Sequence, residues 1–425
     1  MKNNKGITLV ALVVTIVVLL ILAGVSINLV LGNNGIIAKA QEAKTKQAEA
    51  SENDLKGMNG LIEQMESTLN GGSSDNKEDD GLGKLVNDMG TLPEDTTPYF
   101  PSSDFKRREK TNTENGLVIE DTEGNEYVWV VVPKSLYNNT NYNSNNLKKP
   151  SSSTDYANIE YCLQQYTATY REDTDFSDVY YADDKNVGWF ADATAYNNLK
   201  NSMLKSVYEN GGFYVGRYEA GMGTYRTSKS ATNLDGKYTI EGMPVPVSKA
   251  DAYPYTYVTR TQAQNLASNV NSGTKTSSLM FGVQWDLVLA FMHNKGNIAD
   301  STLTSNSTTI GNYNDNLWTI KNAKAQYSTD DGDTFTACSN PFKKESSSSI
   351  LLTTGADSSF SVQNIYDIAG NVREWTLEKT SYTSDPCASR GGSYVYTGSH
   401  LPASNRFSYS TDSSNNNIGF RVSLF

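Results

Sequence analysis

The runs NIYDIAGNVREWT (364–376), SRGGSYVY (389–396) and IGFRV (418–422) decide how this chain folds. All three are short and β-like, and they are divided by Gly, Ser, Asn and Asp, the residues of turns. The same texture extends back to about residue 116, through GLVIEDTEGNEYVWVVVP (116–133) and GFYVGRYEAG (212–221). Two segments break it. TRTQAQNLASNV (259–270) opens on a Thr suited to capping a helix and carries its apolar residues on one face. SLMFGVQWDLVLAFMHN (278–294) is more apolar and reads as a buried helix. Residues 137–156 form an Asn/Ser/Tyr-rich tract expected to be an exposed loop, and there is no clean internal repeat.

The chain has 425 residues, enough for one large or two modest domains with real cores. A formal net charge of −11 repels a phosphate backbone and argues against a nucleic-acid partner. The three cysteines, Cys162, Cys338 and Cys387, are too few for a disulfide framework or a four-cysteine zinc site. They read as free, partly buried thiols, with a Cys338–Cys387 bridge as the alternative. Two histidines, His293 and His400, argue against histidine-rich metal catalysis and most triads.

The N-terminus reads MKNNKG, and after Lys5 no charge occurs until Lys39. Ile7 to Leu31 meets the length of about 20 apolar residues that a membrane-spanning helix needs. The lysines before it place the N-terminus inside and the bulk outside. From Ile36 to Leu69 apolar residues recur at threes and fours, until Gly71, Gly72, Ser73, Ser74 and an acidic run end the pattern. The glycine in KGITLV precedes the apolar stretch, which resembles the class III leader of type IV pilins and type II secretion pseudopilins. That resemblance implies cleavage between Gly6 and Ile7 by a prepilin peptidase, methylation of Ile7, and a helix retained over 7–70. An uncleaved signal anchor is the alternative. Ala11 stands where that family carries Glu, so a carboxylate that sets register between subunits is missing. The expected organisation is a leader (1–6), a transmembrane and amphipathic helix (7–70), a linker (71–115) and a globular domain (116–425). The implied partners are the membrane, the peptidase and other pilins, with the globular part at the cell surface.

The ordered series FYVGRYEAG, YPYTYVTRTQAQNLA, LMFGVQWDLVLAF, NIYDIAGNVREWT, SRGGSYVY and IGFRV resembles the formylglycine-generating enzyme (sulfatase-modifying factor) family over roughly 210–425. The resemblance implies an α+β domain with a variant of the C-type lectin fold: short twisted sheets, two helices and much irregular chain. The family's oxidases hold copper through two cysteines after RGGS. Tyr396 and Leu401 occupy those places and no Cys follows Cys387, which implies a domain without that catalysis and with no catalytic residue. The sulfoxide synthase relatives need three histidines, and the chain has two. The resemblance also implies a structural calcium held by the Asp367 side chain and the carbonyls of Ile368, Gly370 and Val372. A capped turn, with Asp367 bonded to nearby amides, fits the same residues. Trp375 is expected in the core, with Arg373 and Glu374 as structural partners.

Residues 394–417 contain no Lys, Glu, Gln, Met or Trp, the five residues that a codon ending in a pyrimidine cannot encode. The same fold serves the variable proteins of diversity-generating retroelements, whose mutagenesis leaves that gap. The tract resembles the segment that builds the ligand face in these lectin-like domains. Tyr394, Tyr396, His400, Phe407 and Tyr409 offer aromatic faces and hydroxyls, while Ser399, Asn405, Ser408 and Asn415 offer short polar contacts. Strand alternation turns about half of these aromatics inward. The expected function is a surface-displayed binder of an extracellular protein or glycan: an adhesin-like minor pilin or a membrane-anchored binder. The alternatives are a structural pilin or pseudopilin subunit and an enzyme with an unrecognised site.

Overall fold

The computed structural model describes residues 95–142, 149–171, 175–182, 190–224 and 239–425. The expected leader, cleavage site and helix of 1–70 lie outside these residues. Among the described residues no helix is long and apolar enough to cross a membrane.

Two sheets organise the domain. Their strands are β1 (Lys106–Arg107), β2 (Val118–Glu120), β3 (Glu126–Val131), β4 (Phe176–Ser177), β5 (Gly212–Gly216), β6 (Ser277–Leu279), β7 (Arg373–Thr380), β8 (Cys387–Arg390), β9 (Arg406–Tyr409), β10 (Ile418–Phe420) and β11 (Val422–Leu424). The first sheet is antiparallel in the order β1-β2-β3-β5-β11-β6. The second runs β9-β8-β7-β10, with β4 also paired on β7 and with β7–β10 parallel. Arg421 alone separates β10 from β11, so the end of the chain passes from one sheet straight into the other. Smaller two- and three-stranded sheets fill the stretch between Thr319 and Tyr366.

Among the described residues four longer helices pack on this frame, α1 (Tyr156–Tyr166), α2 (Ala193–Asn210), α3 (Arg260–Ala267) and α4 (Gly282–Asn294), and a single-turn helix, Asp300–Thr304, follows α4. Both expected helices are present. Thr259 caps α3 in a reciprocal box, its hydroxyl accepting from the Gln262 amide at 3.2 Å while Gln262 Oε1 accepts from the Thr259 amide at 3.0 Å. α4 is buried from Gly282 to Met292, as an all-round apolar helix must be. The expectation of two helices is corrected by α1 and α2. Their buried residues (Ile159, Cys162 and Leu163; Tyr196, Met203, Leu204 and Val207) do recur at threes and fours. Asn, Ser and Lys on the outer faces dilute that stripe in a one-dimensional reading. α2 is closed by Asp192 at its start and by Gly211 in the left-handed region at its end.

The expected linker, 71–115, is also corrected from Asp95 onward. Thr96 Oγ1 donates to the Gly211 carbonyl at 2.8 Å and accepts from Trp129 Nε1 at 2.7 Å. The Tyr99 ring meets Trp129 and Tyr214 edge-on at 5.4 and 5.6 Å, and β1 extends the first sheet. A polar, Pro-bearing segment is therefore held by three buried anchors, Thr96, Tyr99 and Phe105. In the expected loop of 137–156, Tyr137 is buried, residues 143–148 lie outside the described set and α1 begins at Tyr156. All three cysteines are buried and none is in a disulfide.

Candidate ligand face

Neighbouring residues on a strand point to opposite sides, and β7 uses this to separate two charges. Glu374 turns toward Arg421, whose Nε lies 3.1 Å from both carboxylate oxygens and whose Nη2 lies 2.7 Å from Oε1. The same guanidinium donates to the carbonyls of Gly216 at 2.8 Å and Tyr366 at 2.7 Å, tying β5, β7 and the chain end together. Arg373 and Trp375 turn the other way, beneath Tyr409. Arg373 and Glu374 are therefore not partners of each other. Trp375 is core, as expected, with Nε1 donating to the Val258 carbonyl at 2.9 Å.

The loop before β7 is held by side-chain amides and carboxylates. Asn371 Oδ1 accepts from the Leu352 amide at 3.1 Å, and its Nδ2 donates to Glu219 Oε2 at 2.7 Å. The other oxygen of Glu219 accepts from the Val372 amide at 3.0 Å. Burial, and then the nearby Asp367 and Glu374, push Glu219 well above the usual carboxylate range. Asp367 itself is buried at a left-handed φ of 60°, with Oδ2 accepting from the Gly355 amide at 2.9 Å. Burial pushes its carboxyl up to about 7 against the pull of the Gly355 amide and Arg421. Among the described residues no three His, Cys, Asp or Glu side chains form a group that could hold a metal ion. A cation here would rely on Asp367 plus the carbonyls of Ile368, Gly370 and Val372, all oxygen donors suited to calcium. The donor set fits that ion in chemistry and in its buried, undercompensated negative charge.

β8 and β9 form the antiparallel pair that frames the tract, with Arg390 opposite Arg406, Ser389 opposite Phe407 and Cys387 opposite Tyr409. Two glycines make the turn out of β8. Gly391 has a φ of 73°, and a β-carbon on Gly392 would lie 2.3 Å from both the Leu401 carbonyl and the Tyr313 ring. A buried charge cluster clamps both strands to α4. Arg390 Nη2 lies 2.6 Å from Asp286 Oδ1, and its Nη1 lies 3.2 Å from Glu378 Oε2. Arg406 reaches the same two carboxylates at 2.7 Å and 3.0 Å, and Arg171 adds a third guanidinium at 2.9 Å from Asp286. Burial alone would raise Glu378, but Arg406 and Arg390 outweigh it and hold the carboxyl at about 2.

The structure divides the expected ligand residues. Tyr394 is 1 % exposed and packs with Leu351 and Val372, so its ring is core and not ligand face. Its hydroxyl donates to Asp331 Oδ1 at 3.0 Å and accepts from Asn416 Nδ2 at 3.1 Å. Leu401 and Ala403 are buried too; the Leu401 carbonyl accepts from Tyr313 and the Ala403 carbonyl from Trp285. Tyr396 is 38 % exposed, and its ring lies 5.7 Å from that of exposed His400, next to exposed Ser399. Phe407 is 47 % exposed and lies 5.1 Å from the half-buried Tyr409 ring. Asn405, Ser408 and Asn415 are half-buried at the edges, Asn415 giving its carbonyl to the Tyr257 amide at 3.0 Å. The expected residues thus fall into two ring pairs, Tyr396 with His400 and Phe407 with Tyr409, with small polar neighbours. Arg373 and Arg406 were not among the expected ligand residues. Arg406 had a signal: with Asp412 it is one of two charged residues in the tract.

Comparison with known proteins gives distant structural likenesses and one family match. No curated protein matches the sequence. The crystal structure of CarF is similar at 16 % identity and a TM-score of 0.28, covering 50 % of this chain and 85 % of its own. PvdO from Pseudomonas aeruginosa is similar at 13 % identity and a TM-score of 0.27, covering 51 % and 81 %. Treponema denticola variable protein 1 is similar at 13 % identity and a TM-score of 0.22, covering 78 % and 99 %. The sulfatase-modifying factor enzyme 1-like domain matches residues 211–424, half of the sequence, and the chain belongs to that family.

Proposed function

We propose that this chain is a surface-displayed ligand-binding protein, an adhesin-like minor pilin or a membrane-anchored binder. Its apolar N-terminal segment anchors it and its family domain meets an extracellular protein or glycan. The observation that carries the reading is the exposure of Tyr396 and Phe407 on a tract that Tyr394, Leu401 and Ala403 hold to the core. A large ring left in water next to small polar groups is the usual make-up of a contact surface. The domain is read as non-catalytic because Tyr396 and Leu401 stand where the family's copper enzymes have cysteines.

Binding of the displayed full chain to host-surface glycan and protein panels tests this. The Tyr396→Ala and Phe407→Ala variants should lose the interaction while keeping their melting temperature. Unchanged binding by both would remove the assignment of the face. The anchor has its own test. Expressed with a prepilin peptidase, the chain should yield a mature N-terminus at N-methylated Ile7, whereas a plain signal anchor keeps Met1.

A further inference from the structure

Arg373 sits at the start of β7, 1 % exposed. Its Nη2 donates to Asn405 Oδ1 at 3.0 Å, an uncharged acceptor, and its buried Nε meets no acceptor. The guanidinium carbon lies 4.8 Å from the centre of the exposed Phe407 ring and 5.7 Å from that of Tyr409. The titratable groups facing it are phenols, those of Tyr409, Tyr396 and Tyr313. The other arginines of this region are treated differently: Arg390 and Arg406 share Asp286 and Glu378, and Arg421 has Glu374. Among the described residues no carboxylate pairs with Arg373. A buried charge without a counter-ion is expensive. Kept directly under the exposed Phe407 ring, it has the placement of a charge whose counter-ion arrives from outside.

We propose that Arg373 is the specificity-determining cation of the ligand face and that the ligand is an acidic sugar. Its carboxylate meets Arg373 by displacing Asn405, and an apolar face of its ring rests on Phe407 or Tyr396. The proposal rests on the reading of this tract as a binding face. The planar guanidinium matches a carboxylate through parallel donors. The rings give flat apolar area, and Ser408 and Asn405 give short donors and acceptors for hydroxyls. A single cation suits one carboxylate per ring. The chain carries a net charge of −11, so as a whole it repels a polyanion or a densely acidic protein surface more than a single carboxylate.

The test uses the full chain in detergent and oligosaccharides ending in glucuronic, galacturonic or sialic acid, each with a matched neutral counterpart. Titration calorimetry should show the wild type preferring an acidic member by about ten- to a hundredfold, the range of a charge-assisted contact. Arg373→Gln should abolish the preference and Arg373→Lys should keep part of it. Phe407→Ala, at an exposed position, should weaken acidic and neutral sugars alike. Equal binding of acidic and neutral members, or a preference that survives Arg373→Gln, overturns the proposal. If Phe407→Ala and Tyr396→Ala still remove binding in that case, the face itself stands. No binding of any acidic sugar also overturns it, as does binding of a carboxylate-bearing peptide alone. A ligand bound equally by wild type, Tyr396→Ala and Phe407→Ala removes the face along with it.

Discussion

Arg406 Nη2 lies 2.9 and 2.7 Å from the two carboxylate oxygens of Asp286, joining the middle of the exposed tract to the most buried helix of the domain. Arg406 also gives Nη1 to the Tyr170 carbonyl at 2.6 Å, so one side chain holds three separate parts of the chain. Removing one partner of such a pair strands the other charges in low dielectric. Arg406→Leu should therefore lower stability by about 3–5 kcal/mol in urea melts. A loss of about 0.5 kcal/mol, typical of a surface site, would mean that the clamp is not formed in solution.

The same cluster sets an acid limb. Glu378 sits at about 2 in the folded chain against an ordinary value of 4.5. A carboxyl lowered by folding stabilises the native state above its unfolded value, and this contribution fades as pH falls from 4.5 through 2. Asp178 runs the other way. Burial first, and then Glu378, raise it from 3.8 to about 6, so its contribution is lost as pH rises through that window. Urea midpoints of the wild type should fall below pH 4.5, and those of Glu378→Gln should fall less steeply over the same range.

Core and face should separate cleanly in a mutant series. Tyr394→Phe removes a buried hydroxyl from Asp331 and Asn416 and should cost about 1–3 kcal/mol. Tyr396→Ala and Phe407→Ala, at exposed rings, should each stay within about 0.5 kcal/mol of wild type. Thermal melts of the three proteins decide it, and the reverse order would contradict the assignment of Tyr394 to the core.

Calcium added to chelator-treated protein should raise Tm for the wild type and leave Asp367→Ala unmoved. Magnesium, which demands tight octahedral geometry, should do less. An equal response of wild type and Asp367→Ala would move any bound ion away from the Asp367 loop.

Much of the C-terminal half was legible because its motifs are local. The Thr259–Gln262 box, the apolar run of α4 and the core role of Trp375 each depend on residues a few positions apart. What escaped depends on partners far away in sequence. Arg421 meets Glu374 across 47 positions, and Thr96 anchors to Gly211 across 115. Nothing near Thr96 marks it as buried, so 95–115 reads as linker. Tyr394 failed for a related reason: strand alternation gives about half the aromatics an inward direction, and only the contacts of Leu351 and Val372 say which half.

The interleaving of Tyr394, Leu401, Ala403 and Arg406 with Tyr396, Ser399, His400 and Phe407 has an evolutionary consequence. Folding and surface chemistry draw on different residues of one short segment. A lineage can replace the second set without eroding the first, so drift at those positions alters the exposed surface and leaves foldability intact. Whatever process supplies the substitutions, the architecture has already insulated the protein from most of their harm.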